Sequence, residues 1–348
     1  MRRFLEDVAR HGNMRLSDEE EVGLFAPLRE SAAALLNAAP EQIAIVGSAG
    51  EMLSQLPYLF APPDGARIIA LASDFPAITR PWIAYAEGRE IDLVFVEEDP
   101  ARDPTDALIE GIDGRAAVVL ASHVQFSTGS ILDCARLRRA ADAAGARLVI
   151  DVTQSAGAVP IEAGAWAADA LVCSGYKWLG GHGGVGLAVL APDLVAATPP
   201  APGWMGAADP FDMQATRMPL APDARRYTQS TMSYISIVGL GAAIGELLRL
   251  TPAAIQRHGK RLSADLYSRL DGSGWTRFRP ASDPAASSHI LALSHPAAEP
   301  EATLRALREA RITCSLRNGR VRVSLAHFND GNDVRMVADA LQRSVSAR

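Results

Sequence analysis

Lysine is almost missing from this chain. Among its 34 Lys and Arg residues only Lys177 and Lys260 are lysine, so chemistry that needs a primary amine has two candidates. Cysteine is scarce too: Cys134, Cys173 and Cys314 are the full set. An odd count without a C-x-x-C pair gives neither a disulfide framework nor a thiolate metal site, and a reducing cytoplasm is the simplest expected compartment. No apolar run reaches the roughly 18 residues of a membrane-spanning helix, so no membrane partner is expected. MRRFLEDVAR has a basic pair but no apolar core, so no signal peptide is expected. The net charge of −6 disfavours a nucleic-acid partner held by bulk positive charge. No glycine fingerprint sits between a strand and the helix after it, and G-x-S-x-G and H-E-x-x-H are absent. A Rossmann oxidoreductase, a serine hydrolase and a zinc hydrolase are therefore not supported, and no metal is expected.

What is present reads as α/β. The 348 residues suggest about two domains. Short apolar runs (43–46, 67–72, 91–96, 115–122, 147–152, 168–174 and 185–191) alternate with helical stretches such as 132–146. That order predicts a mostly parallel sheet covered by helices on both faces. Pro57 is expected to kink or end the helix after residue 50. Prolines crowd residues 192–224, which reads as an irregular surface connection. Helices over 235–250 and 252–270 follow, then strands at 287–294, 312–316 and 320–326 and helices at 300–310 and from about 331, which suggests a smaller α+β domain. The expected division is a helical segment over 1–40, a large domain over 41–225, and a connecting helix with a small domain over 226–348.

Three clusters could carry chemistry. In VIDVTQSAG (149–157), Asp151 ends a buried strand, where open α/β sheets bind ligands. It reads either as such a group or as a turn or helix-cap aspartate. In CSGYKWLGGHGG (173–184), Lys177 lies just past the next strand, between Tyr176 and Trp178 and before a glycine run that lets backbone approach a ligand. The alternative is an ordinary loop lysine. Lys260, on a basic polar helix face, reads as a solvated residue. GSAGE (47–51) sits at a strand-to-helix turn whose N–H groups favour phosphate, though an ordinary turn fits as well. Together the clusters describe one cofactor. A lysine can hold an aldehyde as a Schiff base, an aspartate can keep a pyridine nitrogen protonated, and a helix N-terminus with Ser174 can hold a phosphate. That cofactor is pyridoxal 5′-phosphate (PLP).

From about residue 40 onward the sequence resembles the class V aminotransferase and cysteine desulfurase-like family of fold-type-I PLP enzymes, with some kynureninase-like segments such as GWMGAADPF (203–211). The resemblance implies a seven-stranded type of large-domain sheet. By the family's D-x-x-Q-x-x-G pattern, Asp151 pairs with the pyridine nitrogen and Gln154 bonds the ring oxygen. Lys177 matches the Schiff-base lysine and Ser174 a phosphate ligand. Ala49 and Gly50 fall at the phosphate turn, without the threonine that relatives carry. Phe75 falls where a ring stacks on the cofactor, and Gln125 is the candidate in the cofactor-side loop SHVQFSTG. Thr231 in RRYTQST is implied to reach a partner subunit's phosphate, which implies a homodimer with shared sites. Arg322 in RVRVS matches the arginine that pairs with a substrate carboxylate.

The family implies transamination of a small amino acid as the first expectation. A β-lyase (C–S lyase or kynureninase-like cleavage) is the alternative, and a non-catalytic protein on the same fold the third. Two departures bear on the choice. The desulfurase segment Y-L-D-N-A-A-T-T is absent. Cys314 lies close upstream of Arg322 in a strand-like run, and reads as a small packed side chain rather than a persulfide-forming thiol.

Overall fold

The computed structural model describes residues 1–346. Its large sheet has seven strands: β1 (Ile43–Val46), β2 (Arg67–Leu71), β3 (Asp92–Val96), β4 (Ala116–Ser122), β5 (Arg147–Asp151), β6 (Ala170–Ser174) and β7 (Gly186–Leu190), in the spatial order β1-β7-β6-β5-β4-β2-β3. β7 runs antiparallel to β1 and β6 on either side of it, and the remaining neighbours pair in parallel.

These strands read as unbroken apolar runs because both faces are covered. Along β1, Ile43 and Ile45 enter one core while Ala44 and Val46 enter the other. Ile69 and Leu71 of β2 likewise face away from Ile68 and Ala70. The helix Phe25–Leu36 buries Leu28, Ala32 and Leu36 in the first core, where Ile237, Leu240 and Ile244 of the helix Tyr234–Leu250 also pack.

The small domain is an antiparallel sheet, β10-β11-β9-β8, with β8 at Thr276–Arg277, β9 at Ile290–Ser294, β10 at Ser315–Arg317 and β11 at Arg320–Ser324. Leu291, Leu293, Val321 and Val323 pack inward against Leu307 and Leu341 of the helices Pro300–Glu309 and Gly331–Ser346. The alternation in RVRVS therefore turns Arg320 and Arg322 away from this core.

Two local expectations are corrected. The helix Ala49–Phe60 does not end at Pro57 but continues to Phe60, because burial of Met52, Leu53 and Leu56 holds it together where the ring removes a hydrogen bond. The strand expected over 312–316 begins only at Ser315 and ends at Arg317. Asn318 and Gly319 both take positive φ, 48° and 71°, the conformation of a two-residue hairpin turn, and pairing counted back from that turn reaches no further. Among the described residues no single helix is long and apolar enough to cross a membrane.

Candidate active site

The register of the large sheet sets the site. Ser122 at the end of β4 lies opposite Asp151 at the end of β5, and Ser174 at the end of β6 lies opposite Gly186, which pairs with Val46 at the end of β1. The carboxyl ends of four strands thus meet, and a cavity of about 280 Å³ opens beside them. Asp151, Lys177, Ala49, Gly50, Phe75, Gln154, Ser174 and Arg322 all line it.

At one end the helix Ala49–Phe60 begins. Ser48 caps it by accepting the Glu51 N–H at 3.0 Å. The first N–H groups of a helix have no intrahelical acceptor, so Ala49 and Gly50 offer an anion free donors. Gly186 lets this turn lie directly on β7: a Cβ there would stand 2.6 Å from Ala49 N. The Ser174 N–H is taken by Thr153 Oγ1 at 3.0 Å, which ties the ends of β5 and β6 together.

Asp151 is 4% exposed and accepts the Thr153 N–H at 2.7 Å. Burial, with a smaller contribution from the Asp74 carboxylate, raises its carboxyl to about 6. Gln154 is held from two sides. Its side-chain oxygen accepts the Trp178 indole N–H at 2.9 Å, and its carbonyl lies 2.7 Å from His289 Nε2. Burial pushes His289 down to about 4, so its ring is neutral near pH 7. The Trp178 and His289 rings stack edge to face at 4.5 Å.

Lys177 lies beside the Tyr176 ring, its Nζ 4.8 Å from the centroid. Burial and the guanidinium groups of Arg322 and Arg317 lower its pKa. Arg322 reaches across from the small domain and donates Nη1 to Phe126 O at 2.8 Å. Its Nε is buried with no partner among the described residues.

Two expected residues do not line this chain's cavity. Gln125 is fully buried, and its amide donates to Asp74 at 3.3 Å and to the Ser122 carbonyl at 3.2 Å. The next residue, Phe126, lines the cavity in its place and packs against Phe75 at 5.2 Å. Thr231 is exposed, with its side chain against the Tyr234 hydroxyl. Three residues before it, Thr228 is buried and donates to the Ile45 carbonyl at 2.8 Å, which anchors the segment to β1.

Sequence reasoning missed Ser122, Phe126, Thr153 and Arg317 as lining residues. It also missed Asp74, which is buried and holds the site's framework. Asp74 accepts the Ser122 hydroxyl at 2.5 Å, the Ser122 N–H at 2.9 Å and the Phe75 N–H at 2.7 Å. Its position just before Phe75 was the one available signal.

The donor set fits PLP: free helix N–H groups with Ser174 for a phosphate, a buried carboxylate for a ring nitrogen, an accessible amine, and an amide for the ring oxygen. The family model described as Aminotransferase class-V matches residues 9–337. The chain belongs to the class V aminotransferase family of fold-type-I PLP-dependent enzymes. It is an enzyme, and its cofactor is PLP. The "Uncharacterized aminotransferase YcbU" of Bacillus subtilis is 24% identical over 317 residues, 90% of this chain and 82% of that one. A kynureninase of Deinococcus radiodurans is 33% identical over 205 residues, 58% of this chain and 48% of that protein. The apo structure of a cysteine desulfurase from Thermococcus onnurineus has a TM-score of 0.85 at 20% identity, covering 97% of this chain and 88% of that one. The cystine C–S lyase C-DES, in complex with its product cysteine persulfide, has a TM-score of 0.86 at 19% identity, covering 98% and 92%. These two structures share the fold of this class V enzyme.

Proposed function

We propose that this class V enzyme transfers the amino group of a small α-amino acid, with Lys177 as the residue that carries PLP and then moves the proton at the substrate's Cα. The observation that carries the reading is the convergence of Lys177, Asp151 and Arg322 on one cavity.

Bound there, the cofactor supplies an aldehyde for the substrate amine and a pyridinium ring that accepts the electron pair released at Cα. Asp151 holds the ring nitrogen's proton, and that N–H opposite the buried carboxylate offsets the burial that otherwise raises its pKa. Lys177, its pKa lowered by burial and by two guanidinium groups, has a larger neutral fraction at neutral pH than a free lysine and so can take up a proton. Arg322 offers its unpartnered Nε to the substrate carboxylate. Gln154, its oxygen already held by Trp178, keeps its N–H groups for the ring oxygen. The reading extends to a homodimer in which Thr231, exposed on its own chain, reaches the partner's phosphate.

A second reading, β-elimination or Cβ–Cγ cleavage, is supported by relatives named kynureninase and probable cysteine desulfurase. A persulfide relay has no support here. Cys134 and Cys173 are buried, Cys314 packs on the small-domain core, and none of them lines the cavity.

Single-turnover product analysis separates the two reactions. Without an acceptor, transamination releases one equivalent of keto acid per site and stops. β-Elimination turns over continuously and releases ammonia. Borohydride reduction should fix the cofactor to Lys177; label recovered on Lys260 would refute the assignment.

A further inference from the structure

Arg317 lines the same cavity, and beyond its share in lowering the Lys177 pKa it holds no part of the substrate in the reaction described above. It stands on β10, whose side chains alternate like those of β11. Leu316 and Val321 pair directly across the hairpin, as do Arg317 with Arg320 and Ser315 with Arg322. Residues directly opposite share a face, so Arg317 and Arg322 project from the same side of the hairpin, one diagonal step apart. The Asn318–Gly319 turn holds that register, and Leu316, Val321 and Val323 root the hairpin in the small-domain core.

The charge inside the cavity is unbalanced. Lys177, Arg317 and Arg322 are its cationic lining residues, and Asp151 is its carboxylate. Neither Arg317 nor Arg322 has an ion-pair partner among the described residues, whereas the buried Arg279 is paired with Asp283 at 3.0 Å. Arg320, the third arginine on this face, is placed over the Phe278 ring at 4.6 Å. Arg317 donates Nη1 only to its own neighbour's carbonyl, Leu316 O, at 2.7 Å. The phosphate end does not need it: the donors there come from Ser48 to Gly50 and Ser174, on the large domain.

We propose that Arg317 is a specificity-determining residue that pairs with a second anionic group at the end of the substrate's side chain, so that the substrates are acidic α-amino acids. The α-carboxylate goes to Arg322 and the distal acid group to Arg317, two guanidinium groups on one rigid hairpin. Like charges held this close repel one another, and a substrate with two acid groups relieves that repulsion where a neutral one relieves only part of it. The inference rests on the proposed amino-acid reaction and names its substrate class.

The test uses the PLP-loaded enzyme. L-Aspartate, L-glutamate and L-2-aminoadipate are titrated against its visible absorbance, with L-asparagine and L-glutamine as neutral counterparts. At least one acid should bind roughly 10-fold or more tightly than its amide, an effect in the range of a charge-assisted pair. Arg317→Gln should collapse that acid-to-amide ratio toward one, mainly through KM, and Arg317→Lys should restore part of it. No preference for any of the acids in the unaltered enzyme, or equal losses on acids and amides in Arg317→Gln, overturns the proposal. Failure of the enzyme to take up PLP at all is a different result: it shows as an absent visible band before any amino acid is added, and it removes the underlying reaction as well.

Discussion

Trp178 donates its indole N–H to Gln154 Oε1 at 2.9 Å. An indole can only donate, so this bond decides that the amide nitrogen, not the oxygen, is left free for the ring oxygen that Gln154 is proposed to hold. Trp178→Phe keeps a ring against His289 but frees the amide to turn. One neutral hydrogen bond contributes about 0.5–1.5 kcal/mol. The expected result is a kcat lowered roughly 2- to 10-fold with PLP retained, read from steady-state rates and the visible spectrum. An unchanged kcat would show that the orientation of Gln154 has no part in turnover.

Asp151 gives a pH-dependent stability with a definite sign. Its carboxyl sits at about 6 in the folded protein, because of burial first and Asp74 second. In an unfolded chain it sits near 3.9. The cofactor-free native state therefore holds this proton more tightly than the unfolded chain does. Between about pH 4 and pH 6 the native state loses ground as pH rises, and above that the ionised carboxylate costs on the order of 3 kcal/mol at most. Asp151→Asn should raise the Tm of the cofactor-free protein by a few degrees at pH 8 and change it little at pH 4. The same variant loaded with PLP should lose turnover by orders of magnitude. Melting curves with equal shifts at both pH values would place the buried charge elsewhere.

Gly186 is where β7 touches the Ser48–Ala49 turn, the proposed phosphate site. A methyl group there would meet Ala49 N and Ser48 C at 2.6 Å, both backbone atoms that cannot swing aside. Gly186→Ala should cost about 1–3 kcal/mol through overpacking and push the helix N-terminus out of line. PLP affinity should fall more than the small-domain fold is disturbed. Equilibrium dialysis of PLP against denaturant melts separates the two, and undiminished PLP binding would show that this turn does not hold the phosphate.

Thr231 tests the shared site. It is exposed on its own chain and lies off that chain's cavity, while Thr228 anchors the segment to β1. If Thr231 completes the partner's phosphate site, Thr231→Ala should weaken PLP retention without changing the melting of the cofactor-free protein. Dilution into the monomer range should release PLP in parallel with dissociation, followed by sedimentation at the cofactor's absorbance wavelength. A monomer that keeps PLP fully would exclude the arrangement.

Much of this was legible in the residues alone. With two lysines in the chain, Lys177 after a buried strand stood out against Lys260 on a polar helix. Asp151 was marked by its place at the end of a buried strand, where open α/β sheets bind ligands, and Arg322 by the resemblance of RVRVS to the family's pattern. Continuous apolar runs likewise announced a sheet covered on both faces, because each strand carries its own burial pattern.

The identity of the cavity's other walls was decided by tertiary structure. Phe126 rather than Gln125 faces the site because Asp74, more than fifty residues earlier in the chain, captures the amide. Arg317 enters the cavity because a two-residue turn sets the hairpin register and the small domain lays that hairpin against β4's loop, where Arg322 bonds Phe126 O. Alternation along a strand is a property of neighbouring residues and can be read from them. Which strand ends meet depends on the order β1-β7-β6-β5-β4-β2-β3, a set of long-range pairings that no single segment encodes.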